Sequence, residues 1–243
     1  MGRSETLQQF AAGRIPERYQ RNIGTIGIDG QLRLLNAKVA IAGAGGLGGN
    51  LIELLARQGV GYLRIIDGDS FAVHNLNRQL LATERNLGMN KAQAAARRIA
   101  EVNSDVTVDA VPAMLDEVNA VDLLAGMDVV VDALDNISSR LLLSRTAQAL
   151  EIPLVHGAIA GFTGQITTLL PGRRGLETIY KMTPGSDRGI ETVLGNPAVT
   201  PALAAAIQAQ EVVKILTGIG EILDSQLLYF DTELNLFEII NLK

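Results

Sequence analysis

The sequence predicts an α/β fold in which a doubly wound, mostly parallel sheet is extended by antiparallel strands. Two observations lead to this prediction. Short β-branched runs alternate with longer segments of helical periodicity up to about residue 160, and such alternation is typical of a parallel sheet with right-handed crossovers. Beyond that point the alternation ends, and two apolar runs near the C-terminus are close enough to form a hairpin.

The first part of the chain alternates between strand and helix. Strands are predicted at residues 38–43, 62–67, 106–111, 128–134 and 152–159. Several of these runs are apolar at consecutive positions, as is usual for strands covered on both faces. Helices are predicted between them at residues 47–59, 90–103 and 137–150, each ending near a Gly, an Asn or a Pro-containing segment.

After about residue 160 the sequence no longer alternates regularly between strand and helix. A further strand is predicted at residues 163–170 and a long helix at 200–218, where Thr at the start is followed by Pro at the first helical position. Residues 227–231 and 234–240 are predicted to pair as a hairpin across the dipeptide TE. These antiparallel elements extend the sheet.

Residues 171–198 form a long segment rich in Gly and Pro without clear periodicity. A loop of this length inside a compact domain is usually functional or mobile. No repeat or linker divides the sequence. We therefore expect a single domain over residues 1–243, with an N-terminal helical arm at residues 1–30 and this long loop as its main irregular part.

Composition limits the classes of function. The 243 residues are 47% hydrophobic, which is enough for a core, and the net charge of −5 is spread over mixed acidic and basic residues. Because no basic stripe is present, nucleic acid is not expected as a partner. The most apolar window contains several glycines and charged residues, and the N-terminus lacks an apolar signal region. We expect a cytoplasmic protein that does not bind a membrane.

The first chemical motif is the run GAGGLG at residues 43–48. Gly43, Gly45 and Gly48 fit the pattern GxGxxG after a strand and at the start of a helix, where free amides face an anion. Asp67 ends the next strand, about 20 residues further on, where an acid that binds ribose is expected. A glycine-lined turn without a ligand is the alternative. The motif favours nucleotide binding and leaves open which nucleotide.

Two cations follow this motif. Arg78 and Lys91 come after Asp67 and Asp69, with Lys91 at the start of a predicted helix. Two cations near the phosphate side of a mononucleotide suit a triphosphate, whose charge must be neutralised as pyrophosphate leaves. A solvated surface is the alternative for these side chains. An NAD-dependent oxidoreductase would not require such a pair.

Five motifs occur in a fixed order: RYQRNI, GAGGLG, DGDSFAVHNLNRQ, GMNK and DALDN. In this order and spacing they resemble the ThiF/MoeB/HesA family, the prokaryotic relatives of ubiquitin-activating E1 enzymes, from about residue 18 to about 217. The resemblance implies a Rossmann-like domain with an added antiparallel portion that works as a homodimer. It also implies adenylation, with ATP and magnesium, of the C-terminal glycine of a small ubiquitin-like sulfur carrier similar to ThiS or MoaD.

The resemblance assigns roles by position. Nucleotide binding falls to Gly43, Gly45, Gly46, Gly48, Asp67, Asp69, Asn75, Gln79 and Asn136, and catalysis to Arg21, Arg78, Lys91 and Asp135. Asp135 matches the acid that binds magnesium, a hard cation that prefers oxygen ligands; capping of the following helix is its alternative role. Arg21 matches an arginine that reaches into the active site of the other subunit, and an exposed helix charge is its alternative.

The sequence departs from the family pattern in its cysteines, of which it has none. Family members commonly bind zinc through two CxxC pairs, but this chain has TIYKM where the first pair would lie. We therefore expect no zinc and no thioester with the carrier, so that sulfur would come from another protein. Residues 171–198 match a crossover loop that would hold the carrier's Gly-Gly tail. The two histidines, His74 and His156, are assigned to neither role.

Three functional hypotheses remain at this point. The first is an enzyme that adenylates a carrier, the second a binding or scaffold protein with the same fold, and the third an NAD(P)-dependent oxidoreductase. The cations and acids of the motifs occur together, which disfavours a scaffold because a scaffold has no physical need for groups that surround phosphates. The carrier and its pathway, whether thiamin, molybdenum or tungsten cofactor or another product, stay open.

Overall fold

A computed structural model describes residues 2–180, 187, 189 and 191–242, with the side chains of residues 191 and 192 excepted. The strands are β1 (Lys38–Ala42), β2 (Tyr62–Ile66), β3 (Thr107–Val111), β4 (Val129–Asp132), β5 (Leu154–Ala160), β6 (Thr163–Leu169), β7 (Gln226–Asp231) and β8 (Leu236–Asn241). The helices are α1 (Arg3–Ala11), α2 (Gln20–Asn36), α3 (Gly46–Gln58), α4 (Lys91–Val102), α5 (Ala120–Leu124), α6 (Ile137–Ala149), α7 (Glu191–Leu194) and α8 (Val199–Thr217).

All eight strands lie in one sheet, in the order β3-β2-β1-β4-β5-β6-β7-β8. The strands from β1 to β5 pair in parallel, whereas β6, β7 and β8 pair antiparallel. This confirms the predicted fold class. The chain moves outward from β1 to β3 and then returns to place β4 on the other side of β1. The reversal creates a switch point between β1 and β4, where a crevice opens at the carboxyl ends of the strands.

Successive residues of the central strand point to opposite faces of the sheet. Val39 and Ile41 pack into the larger core with α3 and α8, and Ala40 and Ala42 pack into the smaller core with α6. Burial on both faces explains why the central strands are apolar at consecutive positions, from Val39 to Ala42 in β1 and from Val129 to Val131 in β4.

The C-terminal hairpin differs from its predicted loop. Asp231 pairs with Leu236, so the connection spans residues 232–235 rather than the dipeptide TE alone. Asn235 adopts a positive φ of 54° in this turn, a conformation that Asn tolerates better than most residues. Leu234 therefore lies in the turn and not in the strand.

The N-terminal region is helical, with α2 extending to Asn36 and containing a kink at Gly27 (φ 68°). This region is fixed to the domain by Asp105, whose Oδ2 accepts hydrogen bonds from Thr6 Oγ1 (2.8 Å) and Tyr19 Oη (3.0 Å). In the described part of the chain, no helix is both long and apolar enough to cross a membrane.

Candidate active site

A cavity of about 290 Å³ lies at the switch point, against the carboxyl ends of β1, β2, β4 and β5. We call it the switch-point cavity. Most residues that the sequence predicted for a nucleotide site line it, namely Gly43, Gly45, Gly46, Asp67, Asp69, Arg78, Gln79, Lys91, Asp135 and Asn136. They come from several separate segments of the chain, which meet because parallel strands end at the same edge of the sheet.

The glycines of the turn between β1 and α3 have two different reasons to be glycine. A Cβ on Gly43 (φ 98°) would lie 2.4 Å from the carbonyl oxygen of Ala133, and one on Gly48 would lie 1.9 Å from that of Gly43. Close backbone packing therefore requires both. Among the described residues, the atoms nearest to a Cβ on Gly45 or Gly46 would lie 3.5 Å or more away. These two leave an open floor at the amino end of α3, where amides can bind an anion.

Asp67 braces this turn from the end of β2. Its Oδ2 accepts a hydrogen bond from the amide of Ala44 (2.7 Å), and its Oδ1 accepts one from the amide of Asp69 (2.8 Å). Burial raises the pKa of Asp67, and the hydrogen bond from Ala44 and the charge of Lys91 oppose that rise. The carboxylate is thus held against the glycine turn, in the wall of the cavity.

The two predicted cations both line the cavity: Arg78 lies within the connection between β2 and α4, and Lys91 is the first residue of α4. Lys91 is buried and its Nζ lies 2.8 Å from Asp69 Oδ2, while that carboxylate is largely exposed. Arg78 donates from Nη1 to the carbonyl oxygen of His74 and to Asn77 Oδ1, both at 2.9 Å. Both side chains are therefore held by short hydrogen bonds.

Gln79 is a buried amide in the same wall. Its Oε1 has no hydrogen-bond partner among the residues that the structure describes. A buried polar atom without a partner costs free energy unless a ligand or water satisfies it. The cavity thus offers a polar ligand an unsatisfied amide beside the glycine turn.

Asp135 stands on the exposed edge of the cavity just after β4. The neighbouring Asn136, and not Asp135, caps α6: its Oδ1 accepts a hydrogen bond from the amide of Ser139 at 2.9 Å. The capping role considered for Asp135 therefore belongs to Asn136. The described residues contain no group of three His, Cys, Asp or Glu side chains that could hold a metal ion; one carboxylate combined with phosphate oxygens is nevertheless an arrangement that magnesium accepts.

Three predicted residues do not line the switch-point cavity. Arg21 is exposed on α2. Gly48 lies under the turn, where it allows close packing as described above. Asn75 is buried, and its Oδ1 accepts a hydrogen bond from the amide of Ala72 at 2.9 Å, which shapes the connection that carries Arg78. Contact of Asn75 with phosphate stays a prediction.

A second cavity of about 170 Å³ adjoins the first and runs over the antiparallel strands. We call it the sheet groove. Its walls include Gly164, Gln165 and Tyr229 from β6 and β7, and Tyr180 and Gly189 from the long loop. The long loop at residues 171–198 was expected to line such a channel, although its contributing residues could not be named from the sequence. Residues 181–186, 188 and 190 of this loop lie outside the described residues.

Arg140 of α6 lines both cavities and was missed by sequence reasoning. It is buried, and its Nη2 donates to the carbonyl oxygen of Leu134 at 2.7 Å. Below it, Asp132 and His156 are fully buried and hydrogen-bonded at 2.6 Å. Because arginine side chains are mostly exposed, the sequence alone offers no signal that Arg140 is buried.

An open sheet with a glycine-floored cavity at its switch point defines the class of Rossmann-like nucleotide-binding domains. The chain belongs to the ThiF family, whose model matches residues 19–243.

Two curated relatives define the enzyme class. The chain is 40% identical over 230 residues to the SAMP-activating enzyme E1 of Haloferax volcanii, covering 92% of this chain and 84% of that one. It is 36% identical over 224 residues to the adenylyltransferase and sulfurtransferase MOCS3-1 of Zea mays, covering 88% of this chain. The chain spans only 47% of that relative. The family and these relatives identify it as an E1-like adenylyltransferase.

Solved structures support the fold. The structure of E. coli MccB with ATP matches with a TM-score of 0.81 at 23% identity, covering 93% of this chain and 72% of that one. The structure of PaaA matches with a TM-score of 0.80 at 25% identity, with coverage of 93% and 73%. The similarity to MccB concerns the fold alone.

Proposed function

We propose that the protein uses ATP and magnesium to adenylate the C-terminal glycine carboxylate of a small ubiquitin-like sulfur carrier that ends in Gly-Gly. The observation that carries this proposal is the junction of the two cavities. A nucleotide in the switch-point cavity and an extended tail in the sheet groove would meet at their common wall. The Haloferax volcanii relative, named as an activating E1, supports this reading.

The chemistry is substitution at the α-phosphorus of ATP. An oxygen of the tail carboxylate forms a bond to this phosphorus, the bond to the bridging oxygen breaks, and pyrophosphate leaves with the electron pair. No protein base is needed, because a C-terminal carboxylate is already ionised at neutral pH. The protein would act by positioning the reactants and neutralising charge.

Residues of the switch-point cavity supply that neutralisation. The amino end of α3 and the open floor at Gly45 and Gly46 suit a phosphate group. Arg78 and Lys91 lie in the same wall and would compensate the charge that develops on the departing pyrophosphate. Lys91 would have to exchange its contact with Asp69 for one with the nucleotide, which the exposure of that carboxylate permits.

Asp135 is the residue that would hold magnesium. Its carboxylate lies in the cavity wall and does not cap α6, so it is available to a hard cation that keeps phosphate oxygens as its other ligands. When bound, magnesium would neutralise phosphate charge and align the triphosphate. Phosphate binding and the rest of the charge neutralisation would come from side chains and amides of this chain.

The reaction would end at the acyl adenylate. The sequence has no cysteine, so it offers no thiol to accept the acyl group as a thioester. The activated carrier would then be passed to a separate source of sulfur.

Carrier-dependent exchange of labelled pyrophosphate into ATP tests this function, with candidate carriers ending in Gly-Gly. Asp135→Ala should abolish exchange, and Asp122→Ala is the matched control because Asp122 is exposed on α5 and lines neither cavity. Exchange at the wild-type rate in Asp135→Ala would show that Asp135 does not hold a magnesium ion needed for the reaction.

A homodimer forms part of the proposal because Arg21 lies outside the switch-point cavity of its own chain. If Arg21 enters the partner's site, mixing Arg21→Ala with Asp135→Ala should restore activity, since each mixed dimer has one site with both residues. Random mixing would restore up to about one quarter of the sites, as follows from two-fold symmetry. No recovery in dimers proven to be mixed would place Arg21 outside the reaction or in its own subunit's site.

A further inference from the structure

We propose that Asp187 of the long loop is a positioning residue for the carrier's tail: it binds the amino end of α6 and so holds the loop against the sheet groove. This inference rests on the adenylation function proposed above. It concerns the binding of the protein substrate and not the reaction at phosphorus.

The contact between the loop and α6 is direct. Asp187 Oδ1 accepts a hydrogen bond from the amide of Ser138 at 2.8 Å, and the carbonyl oxygen of Asp187 accepts one from the amide of Ile137 at 2.9 Å. The hydroxyl of Ser138 lies 3.1 Å from Asp187 Oδ2 and 3.0 Å from Asn136 Oδ1, so it can donate its proton to either oxygen. The side chain and the main chain of Asp187 thus both bind the first turn of the helix.

The helix does not need Asp187 in order to begin at Ile137. Its cap is Asn136, as described above. The amides of Ile137 and Ser138 are among those that the first turn of a helix leaves without an internal partner, and water can satisfy such amides at the surface. Asp187 is exposed, so water would reach these amides if the carboxylate were absent. The contact therefore fixes the loop more than it fixes the helix.

The same contact lies at the edge of the sheet groove. Ile137 lines the groove from α6, and Gly189 lines it from the loop. Two residues of extended chain span at most about 7 Å, so a fixed Asp187 keeps Gly189 close to this edge. Earlier in the loop, Tyr180 accepts a hydrogen bond from Gln165 of β6 at 2.9 Å. A tail in the groove would therefore lie against a loop that is fastened at both Tyr180 and Asp187.

A wall that is already fixed favours binding of the tail. If the loop were released, it would have to be ordered when the tail binds, and the apparent affinity would fall with the fraction of molecules whose loop is attached. The affinity for the tail should therefore depend on Asp187, although this residue lines neither cavity. The simpler alternative is that Asp187 binds α6 without any effect on the groove.

Amide hydrogen exchange followed by NMR tests the contact itself. The amides of Ile137 and Ser138 should exchange about fivefold or more faster in Asp187→Ala than in the wild-type protein. Faster exchange at both positions shows release of the loop, because Ile137 binds the main chain of Asp187, which the substitution leaves in place. Equal exchange in the two proteins, or faster exchange at Ser138 alone, shows that the carboxylate does not hold the loop and overturns the inference.

A peptide with the sequence features of the tail tests the consequence. The probe is an acetylated tetrapeptide ending in Gly-Gly with a free carboxylate, and its binding is measured by NMR titration. Asp187→Ala should bind it about threefold or more weakly than the wild-type protein. Asp187→Asn keeps an oxygen that can accept from the amide of Ser138 and should bind the peptide nearly as well as wild type. Equal weakening in both variants would trace the effect to lost charge and would overturn the inference.

Asp116→Ala is the matched control. Asp116 Oδ1 also accepts hydrogen bonds from two amides, those of Val118 and Asn119, both at 2.9 Å, but it lines neither cavity. This variant should bind the peptide as wild type does. The inference is overturned if the control weakens binding as much as Asp187→Ala, if Asp187→Ala keeps the wild-type affinity, or if the wild-type protein does not bind the peptide.

Pyrophosphate exchange separates this inference from the proposed function. In Asp187→Ala the KM for the carrier should rise about threefold or more while the KM for ATP stays unchanged, since the loop wall belongs to the sheet groove. An equal rise in both values would indicate a general disturbance of the site and overturn the inference. Absence of exchange in a wild-type protein whose peptide binding depends on Asp187 refutes adenylation of the tested carriers, and not the role of Asp187.

Discussion

Two substitutions in the glycine turn should have opposite effects on stability and on nucleotide binding. In Gly48→Ala, the new Cβ would lie 1.9 Å from the carbonyl oxygen of Gly43, whereas real contacts are at least 3.0 Å, so the backbone must separate by about 1.1 Å. Gly43 itself packs against the backbone of Ala133 and has little room to move. Overpacking of this kind costs about 3 kcal/mol or more, which lowers Tm by about 6–12 °C in a domain of this size.

Gly46→Ala should leave the fold intact. Its Cβ would contact the Cγ of Arg78 at 3.5 Å and the Cβ of Pro201 at 3.6 Å, both ordinary distances, and alanine favours a helix. The added methyl group would occupy the floor of the switch-point cavity. We expect an unchanged or slightly raised Tm and about tenfold weaker ATP binding, a loss of about 1.4 kcal/mol.

Calorimetry with and without ATP and magnesium measures both effects. A ligand that binds only the folded state raises Tm, so wild type should gain stability from ATP and Gly46→Ala should gain less. A wild-type Tm in Gly48→Ala would refute the packing argument. Wild-type ATP affinity in Gly46→Ala would show that phosphate does not approach this floor.

The remaining predictions concern charge and the N-terminal region. Burial lowers the pKa of His156 below 6.5, so between that lowered value and 6.5 the unfolded chain binds a proton that the folded chain does not. The free energy of unfolding, measured with denaturant, should therefore fall below pH 6.5 by up to about 1.4 kcal/mol per pH unit. A similar fall with pH in a His156→Asn variant would show that His156 is not its cause. His74→Ala, at an exposed site, is the control. Arg78→Ala should strongly reduce pyrophosphate exchange without lowering Tm, and a normal exchange rate would exclude its role. Asp105→Ala removes the acceptor shared by Thr6 and Tyr19 and should cost about 2 kcal/mol or more in calorimetry; wild-type stability would show that the N-terminal helices are fixed by other contacts.

The parallel part of the fold could be predicted because it depends on local periodicity and burial. Residues 38–42 are strand in both the prediction and the structure, and the apolar run from Val39 to Ala42 follows from burial on both faces. The loop of the final hairpin was predicted too short. Its length depends on the pairing register of β7 and β8 and on the positive φ of Asn235, which periodicity does not report.

Some residues of the switch-point cavity could be predicted because they come just after the ends of parallel strands. Asp67 and Asp135 each come just after a parallel strand, so their meeting at one edge of the sheet follows from topology. Arg140 and Tyr180 escaped prediction because they are 40 residues apart and meet only through packing of the long loop onto α6. A single sequence contains no signal for such a contact.

The residues of the two cavities come from different parts of the sheet. Gly43, Asp67 and Asp135 stand at the ends of parallel strands, whereas Gly164, Gln165 and Tyr229 of the groove belong to the antiparallel extension. Under the proposed function, substitutions in the extension would alter which carrier tail binds, while the residues that bind the nucleotide stay unchanged. Such a separation would let one ancestral fold evolve to bind different protein tails while nucleotide binding is conserved.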